Sequence, residues 1–344
     1  MVQQSRNGKV TIHDIAAYAG VSVATVSRVL NDRPDVKAAT RELVLKTIRT
    51  HNFSSNRSAR GLAGGQTNLI GVTVPHVHAE YFAVILSGAA EALYESDVRC
   101  VVCPTLHEIG REVSLLDRLM HGTTDGALVI LPESLPELKT LAGHSYPFVV
   151  VDPKEPLPEG MPSVSASHFA GAREAVMHLI ELGHRHIAAV TGPSSWIASI
   201  ERLHGYQGAL ASRGIIAPPE WVVEGSFLVE SGYECTQQLL RLPDRPTAIF
   251  AFNDNMAFGV LQAIRERGLR VPEDISVVGF DDAQAASLVT PALTTVRQPL
   301  RELGRHGASL LLRLMDGQSG EALRVSLETN LIVRASTAPP PAAN

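Results

Sequence analysis

The sequence predicts an all-α head joined to a larger α/β body, the body made of two doubly wound parallel-sheet subdomains. Three observations predict this. Charge is divided unevenly: residues 1–68 carry 10 Lys+Arg against 4 Asp+Glu, while the other 276 residues carry 20 against 31. Apolar spacing is helical up to about residue 52. After Asn68 it changes to short apolar runs alternating with amphipathic stretches. That alternation runs through twice, over about 69–167 and 168–290, as βαβ units do. A length of 344 residues fits about two domains. The 45% hydrophobic and 19% charged content is that of a chain with a full core. Three cysteines are too few for a disulfide framework, so a reduced, cytoplasmic setting is expected. No apolar run reaches the ~18 residues of a membrane span, and the polar N-terminus is not a secretory signal.

The head reads as three short helices. Thr11 followed by Asp14 makes a capping-box-like start, and Ile12, Ile15, Ala16 and Ala19 give one apolar face. Gly20 suits a left-handed helix end, and Ser22 suits the cap of a second helix running to about Leu30. Asn31-Asp32-Arg33-Pro34 breaks it, and a third helix from about Lys37 to His51 is expected to bury Leu43, Val44 and Ile48 on one side. Residues 56–67 follow as a glycine-weakened segment, which composition alone favours as a linker. In the body, apolar runs at Leu69–Val74, Val98–Cys103, Ala127–Leu131 and Phe148–Val151 read as strands. Further strands are expected at 186–191, 222–227, 247–252 and 275–280, with helices between them. A tail over 291–338 adds one helix and further strands.

Ala16, Gly20 and Val26 stand where a helix-turn-helix needs a small residue, a turn glycine and a locking apolar residue. Ser22, Thr25, Ser27, Arg28 and Asn31 lie around these anchors. Hydroxyls and helix-terminal amides hold phosphates, and an exposed arginine reads guanine in the major groove. With the basic balance of the head, this points to DNA.

The run Val10-Thr-Ile-His-Asp-Ile-Ala-Ala-Tyr-Ala-Gly-Val-Ser-Val-Ala-Thr-Val-Ser-Arg-Val-Leu-Asn31 closely resembles the head of the lactose-repressor/galactose-repressor family of bacterial transcription regulators. Asn56-Arg57, Ala59 and Leu62-Ala63 are similar to that family's hinge helix. Gly183–Ala188, Asn253–Ala257, Ile275–Asp282, Pro291–Val296 and Leu331–Thr337 match its body, so the resemblance runs from about residue 10 to 337. It implies a DNA-binding head over 10–55, a hinge over 56–67 and an effector-binding, dimerising body over 68–338. The body is then of periplasmic-binding-protein type. One subdomain comprises about 68–167 plus 294–325, the other 168–293 plus 326–338. By the resemblance Val23, Ala24 and Arg28 face bases, while Thr25, Ser27 and Asn31 face phosphates. Thr11, His13 and Ser22 belong to the same surface, and Asn56, Ala59 and Leu62 form the hinge contacts. Leu62 is the expected minor-groove wedge.

Open parallel sheets bind ligands beyond the carboxyl ends of their strands. Three apolar runs end there in polar groups, at Asp152, at Asn253-Asp254 and at Asp281-Asp282. Asp254 and Asp282 read as helix caps, which leaves Asp152, Asn253 and Asp281 as ligand candidates. Tyr81, Phe82, Trp196 and Phe227 follow strands and offer aromatic faces. The resemblance assigns Tyr81, Phe82, Arg202, Phe227, Asn253 and Asp281 to effector contact, with Asp152 and Trp196 beside them. There is no G-x-S-x-G elbow, no G-x-G-x-x-G loop and no Walker loop, so no enzyme is expected. Cys100 and Cys103 read as buried strand residues on opposite faces, and His184 and His186 lack a third ligand, so neither a metal nor another cofactor is expected.

The expected function is a sequence-specific DNA-binding transcriptional regulator, a homodimeric repressor of double-stranded operator DNA under small-molecule control. A sugar is the first effector class, and a purine or other small metabolite acting as corepressor the second. The alternative is a periplasmic-type solute-binding protein, which calls for a signal peptide and no DNA-binding head.

Overall fold

Helical spacing in the head becomes three helices, α1 (Ile12–Ala19), α2 (Val23–Leu30) and α3 (Ala38–Thr50). The structure is a computed structural model that describes residues 10–30, 33–51, 53, 67–318 and 323–341. Thr11 and Asp14 cap α1 reciprocally: Thr11 Oγ1 accepts from the Asp14 N–H at 3.3 Å and Asp14 Oδ2 accepts from the Thr11 N–H at 2.8 Å. Gly20 ends the helix at φ +63°, a conformation that suits a residue without Cβ. Ser22 Oγ accepts from the Thr25 N–H at 3.1 Å at the start of α2. Ile15, Ala16, Ala19, Val26, Val29 and Val44 form the core. Leu43 departs from the expectation and is 48% exposed. Adjacent helical positions point about 100° apart, and it is the Val44–Ile48 seam, one turn apart, that packs inward.

The body contains two sheets of six strands. The first carries β1 (Leu69–Val74), β2 (Arg99–Pro104), β3 (Gly126–Ile130), β4 (Phe148–Val151), β5 (Ser163–Ala166) and, late in the chain, β11 (Arg324–Leu327). Its order is β11-β5-β4-β3-β1-β2, all parallel. The second carries β6 (Ile187–Thr191), β7 (Val222–Glu224), β8 (Ala248–Ala251), β9 (Ser276–Asp281), β10 (Thr294–Arg297) and β12 (Asn330–Ile332). Its order is β12-β10-β9-β8-β6-β7, with only the β10–β12 pair antiparallel. The central strands β1, β3, β4, β6, β8 and β9 are buried and apolar on both faces, as parallel sheets covered by helices require.

Helices α4 (Glu80–Glu95), α5 (Ile109–Arg118), α6 (Leu135–Gly143) and α11 (Leu300–Met315) serve the first lobe. Helices α7 (His168–Glu181), α8 (Ile197–Ala211), α9 (Val229–Leu239) and α10 (Asp254–Glu266) serve the second. α4 and α11 touch backbone to backbone: a Cβ on Gly88 would lie 1.9 Å from the Arg301 carbonyl oxygen, and one on Gly304 1.9 Å from that of Ile85.

The chain passes between lobes three times, after Ala166, after Arg297 and after Leu327. The expected boundary at 294 therefore moves, because β10 pairs with β9 in the second sheet. The boundary at 326 moves likewise, because β11 completes the first sheet beside β5. The cysteine expectation also changes. Cys100 and Cys103 are half-buried, because β2 is an edge strand whose Val101 and Val102 reach solvent. They do lie on opposite faces, packing against the two different cores of this lobe.

Candidate functional site

Short buried strands end abruptly at polar groups, and the two lobes turn those ends toward each other. β4 ends before Asp152, where φ is +53°, and β9 ends at Asp281, where φ is +126°. Between the lobes lies a cleft of about 670 Å³, lined by Tyr81, Phe82, Asp152, Trp196, Arg202, Phe227, Asn253 and Asp281. All the residues expected to meet there do so. Phe82 is also part of the first lobe's core.

The floor of the cleft is a chain of buried charge. Tyr81 Oη donates to Asp152 Oδ2 at 2.6 Å, and His168 Nε2 lies 3.1 Å from Asp152 Oδ1. Arg202 Nη2 donates to His168 Nδ1 at 3.2 Å. Arginine has no acceptor, so Nδ1 is the lone-pair nitrogen and Nε2 carries the proton that His168 gives to Asp152. Arg202 Nη1 donates to the Phe252 carbonyl oxygen, and its guanidinium carbon sits 3.8 Å from the centre of the Phe280 ring. Arg202 is 3% exposed, yet its Nε–H has no partner among the described residues.

Burial works to raise the Asp152 pKa, but the hydrogen bonds from His168 and Tyr81 prevail and hold it below the usual carboxylate value. Asp281 behaves oppositely. Burial pushes it up to about 6 against the opposing pull of Arg202 and of Gln298, whose Nε2 donates to Asp281 Oδ1 at 2.7 Å. Gln298 Oε1 is buried and also unpartnered among the described residues. An orphan donor and an orphan acceptor thus lie in the lining of one cleft. Buried polar atoms of this kind cost free energy until something pairs with them.

Two expected caps are corrected. Asn253, not Asp254, caps α10: its Oδ1 accepts from the Met256 N–H at 2.9 Å, while its Nδ2 donates to the Phe227 carbonyl oxygen at 3.0 Å. Asn253 therefore has one N–H left for a ligand. Asp254 lies behind the floor, accepting from Thr295 Oγ1 at 2.6 Å and the Ala283 N–H at 2.8 Å; burial and Asp281 push its pKa well up. Asp282 is not a cap but pairs with Arg297 and Arg334, each at 2.6 Å. His168 and Gln298 were missed by sequence reasoning, and so were His76, His78, His107 and Lys154, which line the same cleft or support its floor. Of these only His76-Val-His78 has a local pattern, two imidazoles one residue apart.

In the head, Ser22 just before α2 and Ala24 and Arg28 on it are exposed, Thr25 and Ser27 are half-exposed, and Val23 is half-packed against the core. Thr11 Oγ1 is engaged with Asp14, and His13 is exposed. Asn31, Asn56, Ala59 and Leu62 lie outside the described residues.

Residues 11–56 match the bacterial regulatory proteins of the lacI family, and residues 176–337 match the periplasmic binding protein-like domain. The chain belongs to the lacI family. A relative named HTH-type transcriptional repressor PurR, from Pasteurella multocida, is 35% identical over 95% of this chain and 98% of its own. Catabolite control protein A of Priestia megaterium is 33% identical over 95% of this chain and 99% of its own. Among solved structures, the Lac repressor dimer bound to operator and the anti-inducer ONPF is 34% identical, with a TM-score of 0.84 over 96% of this chain and 99% of that one. The transcriptional regulator CelR in complex with cellobiose is also 34% identical, with a TM-score of 0.73 over 95% and 100%. As a lacI-family member the protein is a DNA-binding transcriptional regulator and not an enzyme. The matched head sets aside the solute-binding alternative. No helix among the described residues is long and apolar enough to cross a membrane.

Proposed function

We propose that the protein is a homodimeric, cytoplasmic repressor whose grip on operator DNA is controlled by a sugar held between the two lobes of the body. The observation that carries this is Arg202, buried at the cleft with an unpartnered N–H and flanked by the carboxylates of Asp152 and Asp281. A guanidinium facing carboxylates suits a ligand that both donates and accepts, as a hydroxyl does. Trp196 and Phe227, with ring centroids 5.4 Å apart, offer aromatic surface to a sugar ring. The CelR relative, solved with cellobiose, supports the same class.

On the DNA side, Ala24 and Arg28 stand one helical turn apart on the exposed face of α2. Val23 and Ala24 would meet thymine methyls and Arg28 a guanine edge, with Thr11, His13, Ser22, Thr25, Ser27 and Asn31 near phosphates. One head of this size buries too little surface for specificity, so two heads on a pseudo-palindrome are required. The Lac repressor relative, solved as a dimer on operator, supports this arrangement.

The test begins with a thermal-shift panel of monosaccharides, disaccharides and purines on the full chain, followed by operator binding with and without each hit. A sugar that shifts both melting and operator affinity is expected, and Arg202→Ala should abolish its effect on DNA. A purine as the only hit, or near-normal sugar binding by Arg202→Ala in calorimetry, refutes this reading. A monomer by sedimentation on a full operator refutes the dimer.

A further inference from the structure

His76, His78, His107 and Lys154 line the same cleft, apart from the Asp152–His168–Arg202 chain, with Glu133 behind His107 and Lys154. His76 and His78 follow β1, His107 follows β2, Glu133 follows β3 and Lys154 follows β4. Those strands are neighbours in the order β2-β1-β3-β4, so four adjacent loops at one sheet edge each contribute to the row. The His76 ring centroid lies 5.0 Å from that of His78 and 5.0 Å from that of His107. His107 Nδ1 is 2.7 Å from Glu133 Oε1, Lys154 Nζ is paired with Glu133, and the ammonium sits 4.7 Å from the centre of the Trp196 ring. Glu112 fixes the Glu133 loop, its carboxylate accepting from the N–H groups of Glu133 and Ser134 at 2.9–3.2 Å. The imidazoles of His76 and His78 have no hydrogen-bond partner among the described residues.

We propose that this imidazole row is a subsite for an anionic substituent, a phosphate or a carboxylate, carried by the effector. The inference rests on the reading that the effector occupies the cleft, and it narrows the effector to an acidic or phosphorylated sugar. Charge is separated along the lining. Asp152, Asp254 and Asp281 surround the Arg202 guanidinium, whereas His76, His78, His107 and the Lys154 ammonium cluster at the other end, with His107 and Lys154 paired to Glu133; elsewhere in the lining Arg297 pairs with Asp282 and Arg301 with Glu91, and Glu80 and Glu302 add carboxylates. A ligand with hydroxyls at one end and an anion at the other matches that polarity.

The Glu133 carboxylate, already seated on His107 and Lys154, shows that these two groups can hold an anion in this geometry. Burial, together with His107 and His78, keeps the His76 pKa low, and Glu133 opposes this. Glu80 and Asp152 also line the cleft. An arriving anion would favour protonated imidazole, so binding should draw in protons and tighten as pH falls.

Equilibrium dialysis of the full chain against radiolabelled sulfate tests this, because sulfate stays a dianion from pH 6 to 8. One imidazole whose pKa rises by about one unit on binding gives about fivefold tighter binding at pH 6 than at pH 8. The double substitution His76→Asn with His107→Asn should remove that pH-dependent component. Glu133→Gln, which removes the competing carboxylate, should strengthen sulfate binding at pH 7. Glucose 6-phosphate and glucuronate, compared with glucose, then separate phosphate from carboxylate. Sulfate binding that ignores pH and the histidines, or that weakens in Glu133→Gln, overturns the proposal. A neutral sugar that binds and controls DNA while no anion binds the row sinks this subsite alone. Anion binding at the row with no sugar effect on DNA sinks the sugar-effector reading instead.

Discussion

Asp281→Asn should make the protein more stable at neutral pH, at the expense of the site. The Asp281 carboxyl is pushed up to about 6 in the folded chain, against about 3.9 for an unfolded aspartate. The folded state therefore holds a proton that the unfolded state has lost, and stability falls as pH rises from about 4 to 6. At pH 7 ionising this carboxyl yields about 4 kcal/mol in the unfolded chain and about 1 in the folded one. The difference, about 3 kcal/mol, is the destabilisation that a neutral isostere removes. Asp281 keeps some contact with water through the cleft, and screening trims the figure toward about 2. At pH 4.5 the same arithmetic leaves about 1 kcal/mol. Asparagine has the same shape as the aspartate that already holds φ +126° here and can still accept from Gln298, so the backbone is not disturbed. Urea unfolding of both proteins at pH 4.5 and pH 7 measures the difference directly. A variant less stable than the parent at pH 7, or a gap that does not widen with pH, refutes the reasoning.

Other perturbations follow from particular contacts. Gly88→Ala places a methyl 1.9 Å from the Arg301 carbonyl oxygen, so α4 and α11 must separate; a loss of about 1–3 kcal/mol or more is expected in urea unfolding of the body. Ser22→Ala removes the side-chain acceptor for the Thr25 N–H and should cost the head about 1 kcal/mol, read as roughly fivefold faster hydrogen exchange of the α2 amides; unchanged exchange refutes the cap. Leu62→Ala should leave body unfolding unchanged while weakening operator binding and reducing DNA bending in a circular-permutation assay; unchanged bending means that the segment is only a linker.

Local chemistry was legible wherever it acts within one turn or one strand. Thr11 with Asp14 forms the capping box its spacing implies, and Gly20 takes the left-handed end. The apolar runs before Asp152, Asn253 and Asp281 become strands whose tips meet in the cleft. What escaped depends on distant pairing. β5 has four residues with two serines among them, too short for a period to register, and it is fixed by β4 and β11 on either side. The assignment of β10 to the second sheet comes from its pairing with β9, which nothing in Thr294–Arg297 announces. The half-exposure of Cys100 follows from the edge position of β2. His168 and Gln298 reach the floor of the cleft from the lobe crossings, so no strand tip pointed to them.

Those crossings explain how a ligand can act on the whole body. Two of the three carry a residue that contacts the charged floor at or just after the passage. His168 follows the crossing after Ala166 and bridges Asp152 of the first lobe to Arg202 of the second. Gln298 lies in the crossing after Arg297 and donates to Asp281. Thr329, in the third crossing, donates to the carbonyl oxygen of Ser167 in the first, at 3.2 Å, and so ties the passages together. A ligand that pairs with the orphaned Arg202 Nε–H and Gln298 Oε1 would satisfy groups standing at these joints. A ligand that pairs with both would favour the lobe arrangement that holds guanidinium and amide together. The ligand's preference for that arrangement, and not its total affinity, sets how far it shifts the body between states. Asp281, pushed up to about 6 by burial, adds to the same preference: a hydroxyl donated to it stabilises the ionised form and recovers part of the free energy lost in burying it.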